Sequence, residues 1–254
     1  MTAPGKRRVL VTGGGRGLGA AIVAALAAAG HDVTFTFYAS AEAATAAAGQ
    51  LAAAYPAQNF AALRVDLSDR EAVAAFTATL GNDEPYSAFV HNAGHTYDAL
   101  AMMMDQPKAE VAMQVNYWAF TRIAGVLTRA MMRAKDGRIA VIGSVTALQA
   151  NQGNAAYAAS KAALLGYART LAIEVARSGV TVNYVAPGFI DTEMMAPYAA
   201  YRERMEGQIP ARRFARPEEI AAVVCFLLSP GASYLTGAVL PIDGGLSAAI
   251  GVHR

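Results

Sequence analysis

The chain has 254 residues, of which 55% are apolar and 16% are charged, and its formal net charge is +2. This length suits one α/β domain or two small ones, and the scattered, nearly balanced charges argue against a nucleic-acid-binding face. No apolar run reaches the roughly 20 residues that span a membrane, and the short basic segment Met1–Arg8 has no secretory pattern, so we expect a cytoplasmic protein.

Short apolar segments of β character alternate with longer alanine-rich segments of helical character. The predicted strands are Val9–Thr12, Val33–Phe37, Ala61–Val65, Ala88–His91, Ile139–Ile142, Val180–Val185 and Val239–Ile242. The predicted helices are Gly17–Ala29, Ala41–Ala54, Asp69–Leu80, Lys108–Ala134, Ala155–Ser178 and Pro217–Leu228. Several strands are apolar on both faces, which is typical of a parallel sheet covered on both sides. The pattern predicts an α/β, Rossmann-type doubly wound parallel sheet of about seven strands, in one domain spanning residues 1–254.

Three local features refine this outline. The irregular segment 189–213 contains two prolines, and we expect it to form a substrate lid. Ser68, with Glu71 three residues later, predicts a capping box at the start of a helix. The single cysteine, Cys225, lies in an apolar helical stretch and is expected to fill the core. One cysteine permits neither an intramolecular disulfide nor a Cys–His zinc site, and we predict no metal site.

A glycine-rich turn follows the first predicted strand and leads directly into a helix. Glycines allow the backbone to approach a pyrophosphate, and a helix N-terminus supplies N–H groups and a favourable dipole. This context favours a dinucleotide site over a merely flexible turn. The residues predicted to bind the cofactor here are Thr12, Gly13, Gly15, Arg16, Gly17, Leu18 and Gly19.

The end of the second predicted strand indicates which dinucleotide binds. NAD-selective sites place an acidic residue there to bind the ribose 2′-hydroxyl. Here the strand leads into Tyr38-Ala39-Ser40, which has no carboxylate to repel a 2′-phosphate. Arg16 lies where it can reach that phosphate, and Tyr38 and Ser40 can add hydrogen bonds, so we predict NADP(H). The alternative for Arg16 is a solvated loop cation.

Two further strand ends carry candidate cofactor contacts. Asp66 and Leu67 follow the third strand, where the carboxylate can accept from an adenine amino group and the next N–H can donate to the ring. A helix-entry role for Asp66 is almost as probable on local sequence alone. Asn92-Ala93-Gly94 follows the fourth strand and offers small residues for packing against a ribose, although Asn92 can equally form a turn.

Tyr157 and Lys161 are four residues apart in a predicted helix and therefore share one face. A nearby ammonium favours the phenolate, so we expect Lys161 to lower the Tyr157 pKa and to make the phenol an acid and base in carbonyl chemistry. Ser144 follows the fifth strand, whose carboxyl end faces the ligand crevice in doubly wound folds. Asn116 precedes it in a long helix and can hold a water of a proton relay. Taken alone, a Tyr and a Lys at this spacing are more often ordinary helix residues.

This set of motifs resembles the short-chain dehydrogenase/reductase family over essentially the full chain. Within that family, the segments Gly137-Arg138-Ile139, Asn183–Ile190 and Asp243-Gly244-Gly245 are most similar to 3-oxoacyl-[acyl carrier protein] reductases. The residues that carry the resemblance are Thr12, Gly13, Gly17, Gly19, Asp66, Asn92, Ala93, Gly94, Asn116, Ser144, Tyr157, Lys161, Pro187, Gly188 and Thr192.

The resemblance implies a role for each site residue. Tyr157 is the catalytic acid and base, and Lys161 lowers its pKa and binds the nicotinamide ribose. Ser144 polarises the substrate carbonyl, and Asn116 supports the proton relay. The residues implied to line the nicotinamide or contact its carboxamide are Pro187, Gly188, Ile190 and Thr192.

The chain departs from the family pattern at two places. His91 stands where many relatives have Asn, and we interpret it as a packing change rather than as a catalytic residue. Arg129 matches a position that docks an acidic carrier protein, but Ile173 stands where a second basic residue is usual, which weakens the carrier-protein interpretation. Arg133, Lys135 and Arg169 are alternative sources of positive charge, or ordinary solvated helix residues.

The sequence therefore predicts an NADPH-dependent reductase of 3-oxoacyl thioesters, carried by an acyl carrier protein or by CoA, in fatty-acid or polyketide-type synthesis. A reductase or dehydrogenase of a free ketone, secondary alcohol or sugar is the alternative, and a non-catalytic partner subunit or dinucleotide sensor is a third. Met102–Met104 and Met194-Met195 suit an acyl pocket, although core or interface packing is the more usual role of methionine. The resemblance also implies a homodimer or homotetramer.

Overall fold

Seven segments pair into one parallel sheet in the computed structural model, which describes residues 5–81 and 84–249. The strands are β1 Arg8–Thr12, β2 Asp32–Phe37, β3 Phe60–Arg64, β4 Ala88–His91, β5 Gly137–Ile142, β6 Val180–Pro187 and β7 Val239–Ile242. Their order is β3-β2-β1-β4-β5-β6-β7, and each neighbouring pair is parallel. The predicted Rossmann-type doubly wound sheet is confirmed.

Eight α-helices connect and flank these strands in the described part of the chain. They are α1 Gly17–Ala28, α2 Ala41–Ala54, α3 Arg70–Leu80, α4 Gln106–Met113, α5 Ala119–Ala134, α6 Ala155–Val175, α7 Arg202–Gln208 and α8 Pro217–Leu228. Shorter 3₁₀ turns lie at Ala101–Met103, Val145–Ala147, Ala176–Ser178, Glu193–Tyr201 and Pro230–Ala232, and a π-helical turn lies at Gln114–Trp118. Over residues 5–81 and 84–249, none of the helices combines the length and the hydropathy that a bilayer crossing requires.

The sheet has an apolar core on each face, because its central strands are buried along nearly their whole length. On one face the core includes Val73 and Phe76 of α3, Phe120 and Leu127 of α5, and Leu164 and Leu171 of α6. On the other face it includes Ile22 and Leu26 of α1, Ala44 of α2, and Ile220 and Val224 of α8. Cys225 is half-buried and packs against this second core.

Two helix boundaries differ from the sequence prediction. Asp69, not Ser68, caps α3, since its side chain accepts hydrogen bonds from the N–H groups of Glu71 and Ala72. The helix predicted at Lys108–Ala134 is divided by the π-helical turn. Its apolar residues recur at nearly the same interval on both sides of the turn, so periodicity alone does not reveal the division.

Strand order determines where a ligand can bind. The chain leaves β3 at one end of the sheet and continues at β4, which pairs with the other side of β1. A crevice forms at such a reversal, outside the carboxyl ends of the central strands. The loops after β1, β4, β5 and β6 therefore converge on one edge of the sheet, which we call the carboxyl edge.

Tyr184, on β6, joins the end of β5 to α6 at the carboxyl edge. Its ring lies so close to Gly143 that a Cβ atom there would be 1.7 Å from Tyr184 Cζ. The phenol accepts a hydrogen bond from the Ser144 N–H at 3.1 Å and donates one to the Lys161 carbonyl at 3.1 Å. Burial raises the pKa of this phenol above its usual range, so the hydroxyl keeps its proton.

Replacing Tyr184 by Phe tests this connection. We expect Tyr184→Phe to lower the free energy of unfolding by about 1–3 kcal/mol, because two buried polar groups lose a partner. Thermal or denaturant unfolding measures the change. The control is Tyr234→Phe, since Tyr234 is fully exposed and its hydroxyl should matter by less than about 0.5 kcal/mol. Equal stabilities for the two variants would contradict the structural role.

Candidate active site

The glycine-rich turn after β1 packs too closely to accept side chains. Gly13 has a φ of 69°, and a Cβ atom there would lie 2.9 Å from Ala93 Cα. A Cβ atom on Gly19 would lie 1.9 Å from the Gly13 carbonyl oxygen. A turn of this kind at the start of α1 fits a pyrophosphate, because backbone N–H groups can reach the phosphate oxygens without steric hindrance.

Thr12 and Asn92 connect this turn to the end of β4. The Thr12 hydroxyl oxygen accepts hydrogen bonds from the N–H groups of Asn92 at 3.1 Å and Ala93 at 3.2 Å. The Asn92 side-chain amide donates to the carbonyls of Thr12 at 3.3 Å and Gly13 at 2.9 Å. Asn92 therefore holds two strand ends together, which is more than the turn-forming role that the sequence left open.

The residues predicted to contact adenine lie after β3. Asp66 Oδ1 accepts from the N–H of Ser68 at 2.9 Å and from its hydroxyl at 2.6 Å. This oxygen therefore forms a turn before α3, while the helix entry itself is capped by Asp69. Leu67 is buried, and its carbonyl accepts from Gln114 Nε2 at 3.3 Å. Gln114 was not predicted, and it connects this corner to the π-helical turn that carries Asn116.

The corner predicted to receive a 2′-phosphate is exposed. Tyr38 is 60% exposed, and Ser40 has a φ of 62° in the left-handed region. The Arg16 side chain is 81% exposed, and its guanidinium lies 3.7 Å from the carboxylate of Glu193. An ion pair this exposed contributes little to stability, so Glu193 does not fix the position of Arg16.

The segment after β6 returns to the glycine-rich turn. A Cβ atom on Gly17 would lie 3.6 Å from Thr192 Cβ, so the two segments face each other. Gly188 packs closely against the segment after β7, where a Cβ atom would lie 2.9 Å from Asp243 Cβ. The carboxyl edge thus carries the whole set predicted to line the nicotinamide, namely Pro187, Gly188, Ile190 and Thr192.

Asn116 lies in the π-helical turn between α4 and α5, a rare conformation that occurs often at functional sites. Both hydrogens of its side-chain amide are engaged, and Oδ1 accepts one hydrogen bond. Oδ1 accepts from the His95 N–H at 2.8 Å, while Nδ2 donates to the His95 carbonyl at 2.9 Å and to the Ser160 hydroxyl at 2.8 Å. Its two oxygens, Oδ1 and the main-chain carbonyl, are therefore the groups of Asn116 that keep a lone pair for a water of a proton relay.

Tyr157 and Lys161 lie together on α6, as their spacing predicts. The Lys161 amine is 5.7 Å from the centre of the Tyr157 ring and donates a hydrogen bond to the Ile142 carbonyl at 2.9 Å. Lys161 is 2% exposed, whereas Tyr157 is half-buried. A Cβ atom on Gly94 would lie 3.5 Å from the amine, so the loop after β4 closes over it.

The predicted lowering of the Tyr157 pKa is wrong for this structure. Burial raises the pKa of Tyr157 to about 12, a hydrogen bond with Ser144 offsets part of this rise, and the Asp98 carboxylate adds to it. Burial also lowers the pKa of Lys161 to about 8. Loss of solvation of the phenolate outweighs the attraction of an ammonium that is 5.7 Å from the ring centre and already bonded to a carbonyl.

Ser144 is oriented by a neighbour that the sequence analysis missed. Its hydroxyl oxygen accepts hydrogen bonds from the Thr146 N–H at 3.2 Å and from the Thr146 hydroxyl at 2.9 Å. These two bonds use both lone pairs, so the hydroxyl hydrogen of Ser144 is left for Tyr157 or for a substrate oxygen. A Ser followed two residues later by Thr after a strand is the one local signal for this turn.

Arg129, the predicted docking residue, lies away from this cluster. It is exposed on α5, thirteen residues beyond Asn116, which corresponds to about 20 Å along a helix. With Arg133 it lines a cavity of about 210 Å³ beside Tyr86. Because α5 runs back toward the start of β5, Arg129 is near the opposite edge of the sheet from Tyr157. Ile173 is 80% exposed on α6.

Comparison with known proteins identifies the family. Residues 13–247 match the family model described as enoyl-(acyl carrier protein) reductase. The chain is 41% identical over 245 residues to the 3-oxoacyl-[acyl-carrier-protein] reductase MabA of Mycobacterium tuberculosis, and the match covers 94% of this chain and 92% of that protein.

Solved structures agree with this match. A protein described as a short chain dehydrogenase/reductase family protein is 32% identical with a TM-score of 0.87, covering 98% of this chain and 100% of that one. A putative NAD(P)-dependent gluconate 5-dehydrogenase from Beutenbergia cavernae, with NADP bound, is 35% identical with a TM-score of 0.89, covering 96% and 97%. The chain therefore belongs to the short-chain dehydrogenase/reductase family of NAD(P)-dependent oxidoreductases.

Proposed function

We propose that this chain is an NADPH-dependent reductase of 3-oxoacyl thioesters, which it converts to 3-hydroxyacyl thioesters in fatty-acid or polyketide-type synthesis. The observation that carries the proposal is the buried Lys161 amine beside Tyr157, at the same edge of the sheet as the glycine-rich turn. A binding module or partner subunit has no need of a buried ammonium beside a phenol that keeps its proton. When bound, the reduced nicotinamide supplies hydride to the carbonyl carbon.

The chain's own residues then supply the proton to the substrate oxygen and stabilise the negative charge that develops. Tyr157, with a pKa of about 12, holds its proton at neutral pH and donates it to the substrate oxygen. The Ser144 hydroxyl, whose lone pairs are occupied by Thr146, donates a hydrogen bond to that same oxygen. The Lys161 ammonium stabilises the phenolate left behind, and the Asn116 carbonyl supports the return of a proton.

The cofactor half of the proposal rests on the fit of the glycine-rich turn and of the 2′-phosphate corner. The close packing of Gly13 and Gly19 suits a pyrophosphate. Arg16 is exposed and held only by a solvated ion pair, so its guanidinium is available to a 2′-phosphate, and the exposed Tyr38 lies beside a strand end without a carboxylate. These features favour NADP over NAD.

The proposal of an acyl-thioester substrate rests on the named relatives and on an exposed apolar rim, formed by Met102, Met103 and Met194. MabA of M. tuberculosis is named for 3-oxoacyl-[acyl-carrier-protein] reduction. Met102 and Met103 are 90% and 72% exposed, and Met194 is 54% exposed, so these side chains do not fill the core. Flexible exposed methionines suit acyl chains of variable shape.

We propose that 189–213 acts as the substrate lid. The segment is held at its base by Arg202, which makes two hydrogen bonds to the Asp191 carboxylate at 2.8 and 2.9 Å and stacks over the Phe214 ring. Its 3₁₀ helix also contacts the loop after β4, where the Tyr198 hydroxyl donates to Asp98. The lid thus closes one side of the space in front of Tyr157.

A second candidate is a dehydrogenase or reductase of a free ketone, alcohol or sugar acid. The observation in its favour is the similarity to the putative gluconate 5-dehydrogenase of B. cavernae. Both candidates use the same acid–base residues. They differ in the substrate that fits the lid and rim, and in whether a carrier protein docks. A cytoplasmic location and a homo-oligomeric assembly stay predictions.

Turnover of a substrate panel decides between these candidates. NADPH absorbance is followed with 3-oxoacyl thioesters on carrier protein and on a short thiol mimic, beside simple ketones and an oxidised sugar acid. We expect the thioesters to have the highest kcat/KM. Tyr157→Phe should lower kcat by about 10²–10⁴-fold, the usual contribution of a general acid, and leave NADPH binding unchanged. Full turnover by Tyr157→Phe would refute its role.

Arg129→Ala separates carrier docking from chemistry within the same panel. If Arg129 docks the carrier, the variant raises KM for the carrier-bound substrate and leaves the thiol mimic unaffected. The matched control is Arg216→Ala, which removes a 74% exposed arginine at the start of α8, on the opposite face of the sheet from α5. Identical kinetics of both variants on carrier-bound substrate would remove Arg129 from the proposal.

The Lys161 pKa of about 8 predicts a pH dependence for ketone reduction. Below that pKa the amine is charged and can stabilise the Tyr157 phenolate, and above it this stabilisation is lost. The rate should therefore be flat near pH 6–7 and fall as the pH rises through about 8. Lys161→Arg stays charged up to about pH 12 and should not show the fall. A wild-type rate that rises through pH 8 would contradict this assignment.

Arg16→Ala tests the choice of dinucleotide. Loss of one charge-assisted hydrogen bond should raise KM for NADPH by about tenfold or more. KM for NADH should stay unchanged, because NADH has no 2′-phosphate. The control is Glu193→Gln, which removes a carboxylate that competes for the guanidinium and should not weaken NADPH binding. Equal changes with both dinucleotides in Arg16→Ala would exclude the 2′-phosphate role.

A further inference from the structure

His91, at the end of β4, is fully buried and makes two hydrogen bonds to groups of the candidate site. Its Nδ1 lies 3.0 Å from the Thr12 hydroxyl, and its Nε2 lies 3.2 Å from the Asn116 carbonyl oxygen. The ring packs between Phe89 and Phe120, with centroid distances of 6.1 and 5.1 Å. The packing interpretation from the sequence is therefore incomplete, because both ring nitrogens have polar partners.

The surrounding hydrogen bonds determine the tautomer of His91. The Thr12 hydroxyl oxygen already accepts from the N–H groups of Asn92 and Ala93. Its two lone pairs are used, so its own hydrogen must be donated to His91 Nδ1. Nδ1 is then an acceptor without a proton, and Nε2 carries the hydrogen and donates it to the Asn116 carbonyl.

The charge of the ring is also determined by its surroundings. Burial and the nearby Lys161 charge lower the pKa of His91 to about 3, and the bond to Asn116 opposes this only in part. The ring therefore stays neutral at working pH and transfers no proton itself. The ring lies between Thr12, which ends β1 just before the glycine-rich turn, and the carbonyl of Asn116.

We propose that His91 is a positioning residue, which as a neutral Nε2–H imidazole fixes the Asn116 carbonyl relative to the dinucleotide-binding turn. This inference rests on the proposed reductase function. The Asn116 side chain is fixed separately by His95 and Ser160, whereas His91 fixes the main-chain carbonyl of Asn116. It couples that atom to Thr12 and hence to the turn that holds the cofactor.

The tautomer is tested first, on the enzyme without substrate. Long-range ¹H–¹⁵N NMR of the wild-type protein, assigned with His91→Gln, should show Nε2 protonated and Nδ1 unprotonated over about pH 5–8, where a free histidine titrates. The same spectrum should be retained when NADPH is added. An Nδ1–H tautomer or a titrating imidazolium would overturn the proposal whatever the enzyme's activity.

The kinetic test compares two substitutions at the same position. His91→Phe keeps a ring and removes both hydrogen bonds, while His91→Gln offers an N–H donor at a similar reach from the backbone. We expect His91→Phe to lower kcat by about 10–100-fold, less than the 10²–10⁴-fold of a group that itself transfers the proton. The NADPH Kd, from fluorescence titration, should change by less than about threefold. His91→Gln should recover most of kcat.

His31→Phe is the matched control. His31 is another buried histidine, 4% exposed, whose Nδ1 accepts from the Arg7 N–H at 3.2 Å away from the candidate site. Both Phe variants should lower the melting temperature, but His31→Phe should keep the wild-type kcat. A normal kcat in His91→Phe, or no recovery by His91→Gln, would reduce His91 to a packing role. A wild-type enzyme that reduces no ketone would refute the proposed function and leave the NMR test of His91 in force.

Discussion

A lysine ammonium held out of water is the constraint on which the candidate site depends. Lys161 is 2% exposed, and burial lowers its pKa to about 8. A buried ammonium needs hydrogen-bond acceptors that are already in position, because hydrogen bonds that replace only part of its hydration leave a large desolvation cost. The Ile142 carbonyl supplies one partner at 2.9 Å. The loop after β4 covers the amine at Gly94, where a Cβ atom would lie 3.5 Å from it.

The groups around this amine are rigid because their hydrogen-bonding capacity is used. Asn92, Tyr184 and the Asn116 side chain each connect two elements, and each bonds with at least two groups. A fully satisfied buried network specifies one arrangement, whereas a partly satisfied one permits several. Catalysis by proton transfer needs a site with one arrangement, because the proton donor and acceptor must meet at fixed distances. The π-helical turn carries Asn116, whose carbonyl oxygen lies 3.2 Å from His91 Nε2.

The fold was predictable from the sequence, and so was the placement of the candidate site residues at one edge of the sheet, because both depend on short-range patterns. Strand–helix alternation determines the sheet, and strand ends place Thr12, Asn92 and Ser144 at one edge. The features that the sequence analysis missed or predicted wrongly depend on contacts between segments that are distant in the chain. The Tyr157 pKa is raised because the folded protein excludes water from the phenolate, which no spacing reveals. Tyr184 lies forty residues from the Ser144 N–H that it accepts. Asp69 caps α3 in place of Ser68, since both can cap and only the backbone angles decide.

The division between buried and exposed residues suggests how one scaffold serves different substrates. The proposed acid–base residues and their hydrogen-bond partners lie in the interior, where one change disturbs many neighbours. Met102, Met103 and Met194 lie at the surface, as does most of the proposed lid at 189–213, and substitutions there cost little stability. Proteins named for oxoacyl reduction and for gluconate oxidation can therefore share one fold and one core. Under the proposed function, substrate choice in this chain would then come from the exposed methionines, the proposed lid and any carrier that docks, because the buried residues would serve any carbonyl.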